Sequence, residues 1–214
     1  MNNISFLQVV PEVFASADNH DSEIWDAEAT FRKGELYLVE AASGKGKSTF
    51  CSYILGYRRD YTGKICFDKT DISTYGTSDW VAVRQQNISC LFQELRLFPE
   101  LTAYENVEIK NRLTGFKTKE CINRWFEMLG IDDKRDVKVG RMSFGQQQRV
   151  AMMRALVQPF DFLLADEPIS HLDDCNSEIM GRIMLEEAHA QGAGVIVTSI
   201  GKHIELEYDK IFRL

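Results

Sequence analysis

Glu35-Leu-Tyr-Leu-Val-Glu-Ala41-Ala-Ser-Gly-Lys-Gly46-Lys47-Ser48-Thr49 joins an apolar run to a turn rich in glycine and lysine. Its first part, Glu35 to Val39, reads as a strand entered from the turn Arg32-Lys33-Gly34, and the apolar-periodic residues after Thr49 read as a helix. The turn between them has the residue types of a phosphate-binding loop. Successive backbone N–H groups would wrap a β-phosphate, Lys47 would reach the β/γ oxygens, and the Ser48 hydroxyl would ligate Mg²⁺. Gly44 and Gly46 let the backbone approach phosphates without a Cβ in the way. Ser43, Lys45 and Thr49 complete the candidate nucleotide contacts. Ala41 stands at the position of the first glycine in such loops. Its methyl is harmless at negative φ and costs ~1–2 kcal/mol at a left-handed one. Out of context the same wording is simply a turn rich in glycine and lysine; the strand–loop–helix setting favours phosphate.

Phe162-Leu-Leu-Ala165 and Gly194-Val-Ile-Val-Thr198 are two more apolar strands, and Lys210-Ile-Phe-Arg213 is strand-like. Continuous apolar runs are expected of strands covered on both faces, so the pattern is an α/β fold with a parallel sheet. The middle differs. Thr102-Ala-Tyr-Glu105 has capping-box spacing, Ile122, Trp125, Phe126 and Leu129 follow a helical period, and Gly130 is placed to end that helix. Residues 95–140 therefore read as a helical insertion between strands, a small lobe of its own rather than more of the main layer. At ~150 residues per domain, 214 residues make one domain (1–214), with 1–94 and 141–214 as its core.

Two further segments carry chemistry. Asp161-Phe-Leu-Leu-Ala-Asp166-Glu167-Pro168 is an apolar strand ending in two carboxylates. Beside a phosphate loop, Asp166 would hold a water on the metal and Glu167 would polarise or deprotonate the attacking water. Without such a loop it is a strand with a solvated acidic turn. Met142-Ser143-Phe144-Gly145-Gln146-Gln147-Gln148-Arg149 is a Ser/Gly turn opening a helix whose Val150, Met153 and Val157 share one face. The N–H groups at that end, with the Ser143 hydroxyl, make an anion site, and the same segment reads equally as a capped core helix. One nucleotide does not need two phosphate sites on one chain, which suggests two chains sharing a site.

Composition narrows the classes. Lys plus Arg is 25 against 32 Asp plus Glu, a net charge of −7, which argues against a nucleic-acid-coating domain. The five cysteines are scattered and never in a C-x-x-C pair, as expected of thiols in a reducing cytosol. Cys51, inside the helix after the loop, reads as a buried, inert thiol. No apolar run approaches the ~18 residues of a membrane helix, and the stretch from Met1 to His20 lacks the basic start of a signal peptide. Work at a membrane would need a partner.

The order of these elements resembles the ATP-binding subunit of ABC transporters, over nearly the whole chain. Met142 to Gln146 stands where that family has its Leu-Ser-Gly-Gly-Gln signature; Ser143, Gly145 and Gln146 match and Phe144 departs. Leu91-Phe92-Gln93-Glu94 is similar to the Q-loop, which implies that Gln93 senses Mg²⁺ and the attacking water. Ser170-His171-Leu172-Asp173 is similar to the D-loop, whose Asp173 would reach across a dimer, and Phe14 corresponds by position to an aromatic that stacks on adenine. Phe98-Pro-Glu-Leu-Thr-Ala-Tyr-Glu-Asn-Val107 resembles the lipoprotein-releasing and macrolide-efflux branch, in wording that related amino-acid importers share. The resemblance implies a P-loop NTPase fold: a RecA-like parallel-sheet core, an N-terminal antiparallel β region and an inserted helical subdomain. It implies ATP and Mg²⁺ as cofactors, hydrolysis coupled to transport, and a second ATP-binding subunit, identical or different. It also implies a membrane permease and a place on the cytoplasmic face of the membrane, without nucleic acid and without direct insertion. Metal contacts would come from Ser48, Gln93 and Asp166.

The departures matter too. Where the family has a switch histidine, this chain has Val197-Thr198-Ser199-Ile200; His203, four residues on, reads as a surface histidine or a displaced switch, and the sequence up to Leu214 has no counterpart of the family's extra C-terminal helices. Ser199, Ala41 and Phe144 together raise a low-turnover regulatory subunit as the alternative, against which Glu167 speaks. A soluble ABC protein of DNA repair or translation would need a coiled-coil insertion or a second cassette.

Overall fold

The computed structural model describes residues 1–15, 21–42, 44–169, 173–201 and 205–214. Its strands are β1 (Asn3–Pro11), β2 (Glu28–Arg32), β3 (Leu36–Glu40), β4 (Tyr61–Phe67), β5 (Thr70–Asp71), β6 (Ile88–Leu91), β7 (Phe162–Asp166), β8 (Gly194–Ser199) and β9 (Lys210–Arg213). The helices are α1 (Lys47–Ile54), α2 (Thr77–Gln86), α3 (Ala103–Asn111), α4 (Lys119–Met128), α5 (Phe144–Leu156) and α6 (Asp174–Gln191). Five strands form a wholly parallel sheet in the order β6-β7-β8-β3-β9; four form a second sheet, β2-β1-β4-β5, paired antiparallel. The expected α/β core and antiparallel region are both present.

The apolar strands divide between two cores by their period of two. Leu38, Leu163, Val195 and Val197 face one cluster, shared with α3, α4, α5 and α6. Tyr37, Val39, Leu164 and Ile196 face the other, shared with α1, α2 and the antiparallel sheet. That sheet therefore lies beyond α1, and ring contacts join the layers: Phe6 stacks on Phe50 at 5.2 Å and Phe31 meets Tyr37 at 5.0 Å. Both faces of β6, β7, β8 and β3 are covered, which is why these strands carry no alternation of apolar and polar residues, whereas the edge strand β9 buries only Phe212.

β3 begins one residue later than the sequence pattern implies. The Tyr37 hydroxyl donates to the Glu35 carboxylate and accepts the Arg32 N–H, so Glu35 is held in the turn. Thr102 and Glu105 form the expected reciprocal cap on α3, at 2.8 and 3.1 Å. Leu129 caps α4 and Gly130, at φ 60°, turns the chain out of the helix. The helices between residues 95 and 140 bury Val107, Ile122, Trp125 and Phe126 in the same cluster as α5 and the sheet.

Candidate functional site

The loop after β3 runs into α1 at the C-terminal ends of the parallel strands, where β7 and β8 also end. Gly44 and Gly46 have φ of 82° and 103°, both left-handed. A Cβ on Gly44 would meet nothing within 4 Å, so a ligand can close on that backbone; one on Gly46 would come within 2.8 Å of the Phe14 ring. Ala41 is not among the residues with positive φ, so its methyl adds no backbone strain, and its N–H donates to Ser199 O at 3.1 Å. The loop borders a cavity of about 480 Å³ that Lys47, Ser48, Gln93, Glu167, Phe14 and Ile200 help to line.

Two charged groups meet there. Lys47 and Glu167 are each 8% exposed, and Lys47 Nζ lies 3.6 Å from Glu167 Oε1 and 3.4 Å from Ala41 O. Gln93 Nε2 donates to Glu167 Oε2 at 3.1 Å. Glu167 itself is left-handed, φ 48°, with its N–H on Thr198 O at 3.2 Å; such backbone in a non-glycine residue is held only by its surroundings. Asp166 is buried and its Oδ1 accepts from the Thr198 hydroxyl at 2.5 Å. Burial raises its pKa above the ordinary aspartate value, with the neighbouring Glu167 adding to the effect and the Thr198 bond opposing it.

Among the described residues no group of three or more His, Cys, Asp or Glu could hold a metal unaided. A divalent ion would need phosphate oxygens and water beside the protein's donors. Hydroxyl, amide and carboxylate oxygens from Ser48, Gln93 and Asp166 are hard donors that suit Mg²⁺.

Ser143, Gly145 and Gln146 are not in the lining of this cavity. Ser143 caps α5: its Oγ accepts the Gln146 N–H at 3.4 Å, while its own N–H donates to Gln146 Oε1 at 3.0 Å. Asp173 is exposed, and its carboxylate accepts two hydrogen bonds from Asn176 at the start of α6, which hold its pKa below the usual value. Phe14 belongs to a short 3₁₀ turn after β1 rather than to the strand itself, and its ring edges the cavity. Thr49 is buried and its hydroxyl accepts from Arg58 at 3.0 Å. Ser199 is 1% exposed and its Oγ accepts the Gly201 N–H at 3.0 Å; the neighbouring Ile200 lines the cavity. Lys45 is exposed on the loop, and Cys51 is buried, with burial pushing its thiol well above the ordinary range. Ser43, Ser170, His171, Leu172 and His203 lie outside the described residues.

Two supports escaped the sequence. Trp25, 2% exposed, donates from Nε1 to Lys45 O at 3.4 Å and so braces the loop. Thr198 holds both carboxylate residues, through its hydroxyl and its carbonyl. Each acts across the fold, and no local motif announces either.

Residues 25–170 match the ABC transporter family model. The chain is 34% identical to the uncharacterized ABC transporter ATP-binding protein YclH of Bacillus subtilis, over 88% of this chain and 84% of that protein. It is 29% identical to the macrolide export ATP-binding/permease protein MacB of a Shewanella species, over 94% of this chain but 31% of the longer MacB. The dimeric structure of MJ0796, a bacterial ABC transporter cassette, superposes with a TM-score of 0.82 at 25% identity, covering 99% of this chain and 94% of that one. A dimeric post-hydrolysis state of the same cassette, bound to ADP and Pi, superposes at 0.71 with 27% identity, covering 82% and 78%. This chain belongs to the ABC transporter family, as one of its ATP-binding subunits.

Proposed function

We propose that the chain hydrolyses ATP as one half of a pair that closes around two nucleotides and drives a membrane permease from the inner face of the membrane. The observation that carries this reading is the meeting of Lys47, Gln93 and Glu167 at one cavity beside an open, left-handed glycine backbone. Entry of a nucleotide would transfer the Lys47 ammonium from Glu167 to phosphate oxygens. Backbone N–H groups from Ser43 to Thr49 would wrap the β-phosphate at the N-terminus of α1. Mg²⁺ bound through Ser48, Gln93 and Asp166 would neutralise charge developing on the phosphates. Glu167, released from Lys47 and still beside Gln93, would take the proton of the attacking water, and its two oxygens allow both contacts at once. Phe14 edges the cavity where an adenine would rest.

Ser143, Gly145 and Gln146 point to the second chain. They cap a helix away from this chain's own cavity, and in a head-to-tail pair they would meet the partner's ATP, with Asp173 near the same seam. ATP contacts that exist only in the closed pair would shift the population towards closure, and hydrolysis would remove them. The opening movement would reach the permease through residues 95–140. The wording of residues 98–107 and the likeness to MacB support a transporter of the lipoprotein-releasing or macrolide-efflux type. Ser199, short and turned onto Gly201, supports slow turnover by the isolated subunit.

Glu167→Gln tests the reading. The amide keeps the shape and loses the base, so ATP stays bound and unhydrolysed and the paired species accumulates in size-exclusion chromatography with Mg·ATP. A variant that binds ATP yet hydrolyses it at the wild-type rate would remove Glu167 from the role. One that stays monomeric at high concentration would count against closure between two copies of this chain.

A further inference from the structure

α5 grips both of the loops that carry the Gln93–Glu167 contact. Near its C-terminal end Arg154 donates from Nη2 to Leu95 O at 2.7 Å and from Nη1 to Arg96 O at 2.6 Å. Those carbonyls belong to consecutive non-glycine residues in left-handed backbone, φ 59° and 50°, which resists relaxation only while something holds it. The Leu95 side chain is buried in the larger core and the Arg96 guanidinium lies over the Phe92 ring at 3.9 Å, so the bend is pinned from three sides. Gln93 stands two residues before Leu95. Earlier on the same helix, buried Gln148 donates from Nε2 to Pro168 O at 2.5 Å, and Pro168 follows the left-handed Glu167. The other end of that amide, Gln148 Oε1, is buried with no hydrogen-bond partner among the described residues.

We propose that Arg154 and Gln148 are positioning residues for ATP hydrolysis, making α5 a bracket that sets Gln93 against Glu167. Neither lines the nucleotide cavity, so both act through the loops they hold. Because Ser143 caps the start of α5, a shift imposed on that end is carried directly into the geometry around Glu167. The proposal rests on the hydrolytic reading above.

Three variants separate positioning from simple stability. Gln148→Met keeps the length of the side chain and removes both the donor to Pro168 O and the unpartnered oxygen, so the two effects on stability largely offset and the melting temperature stays close to wild type while kcat falls. Arg154→Gln frees the bend. Displacement by ~1 Å of a group near the reaction costs up to ~10²-fold, so kcat falls roughly tenfold in each variant. Nucleotide affinity stays within about twofold of wild type, since no ATP contact is removed. Glycine adopts left-handed backbone without the Cβ penalty; Arg96→Gly added to Arg154→Gln therefore restores most of the lost kcat, which a packing role for Arg154 would not allow. Absence of ATP turnover in the wild-type chain, alone and with its permease, would overturn the hydrolytic reading and this proposal together. With an active wild type, the proposal alone is overturned if kcat stays within about twofold in both single variants. A parallel loss of stability and kcat in Gln148→Met, or no recovery in the double variant, overturns it too.

Discussion

Lys47 sits 3.4 Å from Ala41 O and 3.6 Å from Glu167, a buried cation whose partner would change, under the proposed function, when phosphate arrives. Lys47→Ala removes the main point charge facing the γ-phosphate, so ATP affinity falls at least about tenfold, equivalent to ~1.4 kcal/mol. It also leaves the buried Glu167 carboxylate without its cation, so the nucleotide-free variant melts earlier than wild type. Titration with a fluorescent ATP analogue and a thermal melt check both halves; affinity within about twofold of wild type would mean that the loop does not bind phosphate. Ser199 poses the opposite problem, a missing group. Its hydroxyl is held by Gly201 N–H at 3.0 Å and lacks the reach and the charge of a histidine at the end of β8. Losing one positioned donor to developing charge costs ~10²–10³ in kcat. Ser199→His therefore raises kcat at least about tenfold with little change in ATP affinity, because the added contact acts in the transition state. The site is buried, so the larger ring also lowers thermal stability, in the range of ~1–3 kcal/mol for overpacking. A wild-type kcat already at ~1–10 s⁻¹ would show that the serine is no handicap.

At the scale of elements, α3 carries a cation into an apolar groove of about 440 Å³ bordered by Tyr57, Phe98 and Leu113. Lys110 is half-buried there, its Nζ 3.3 Å from Ser89 Oγ, and burial, with repulsion from Arg154, pushes its pKa down to about 8. An unfolded lysine titrates near ~10.4. Between about 8 and that value the unfolded chain holds the extra proton, so stability rises with pH across the window, and below it the folded state bears the full cost of the charge. Lys110→Met should then raise the melting temperature at pH 7 by ~2–4 °C, for ~1 kcal/mol after solvent screening, and the gain should shrink towards pH 10. Melts at both pH values check it; a lower melting temperature at pH 7 would mean that the ammonium stabilises the groove. What the sequence disclosed at this scale was local. The cap of Thr102 on Glu105, the strand–loop–helix around Lys47 and the apolar runs of β7 and β8 depend on residues within a few positions of one another. The order β2-β1-β4-β5 was not legible from periodicity, because it joins Ile4 to Phe31 and to Phe67, with a register shift between Leu7 and Val10. Trp25 under the phosphate loop and Arg154 over the Gln93 loop were hidden for the same reason: their acceptors lie 20 and about 60 residues away.

Across the whole molecule, the cavity with Lys47 and Glu167 and the α5 end with Ser143 and Gly145 are separate surfaces of one chain, each half of a nucleotide site under the proposed pairing. This makes catalysis a property of two chains, and it can be tested without any permease-specific assay. A Lys47→Ala chain lacks the phosphate cation, and a Gly145→Asp chain puts a carboxylate where the partner's phosphates would lie, so each alone forms pairs with two defective sites. In a mixed pair the lesions segregate: one site receives both, and the other combines the intact Lys47 of one chain with the intact Gly145 of the other. Equal mixing gives half mixed pairs with one sound site of two, so turnover should recover to roughly a quarter of wild type in a head-to-tail arrangement. The measurement is ATPase activity of the two variants alone and after mixing, at protein concentrations where wild type pairs. Turnover that stays at the level of the separate variants, with mixed pairs shown to form, would mean that Ser143 and Gly145 do not complete a neighbour's site, and the head-to-tail arrangement would fall.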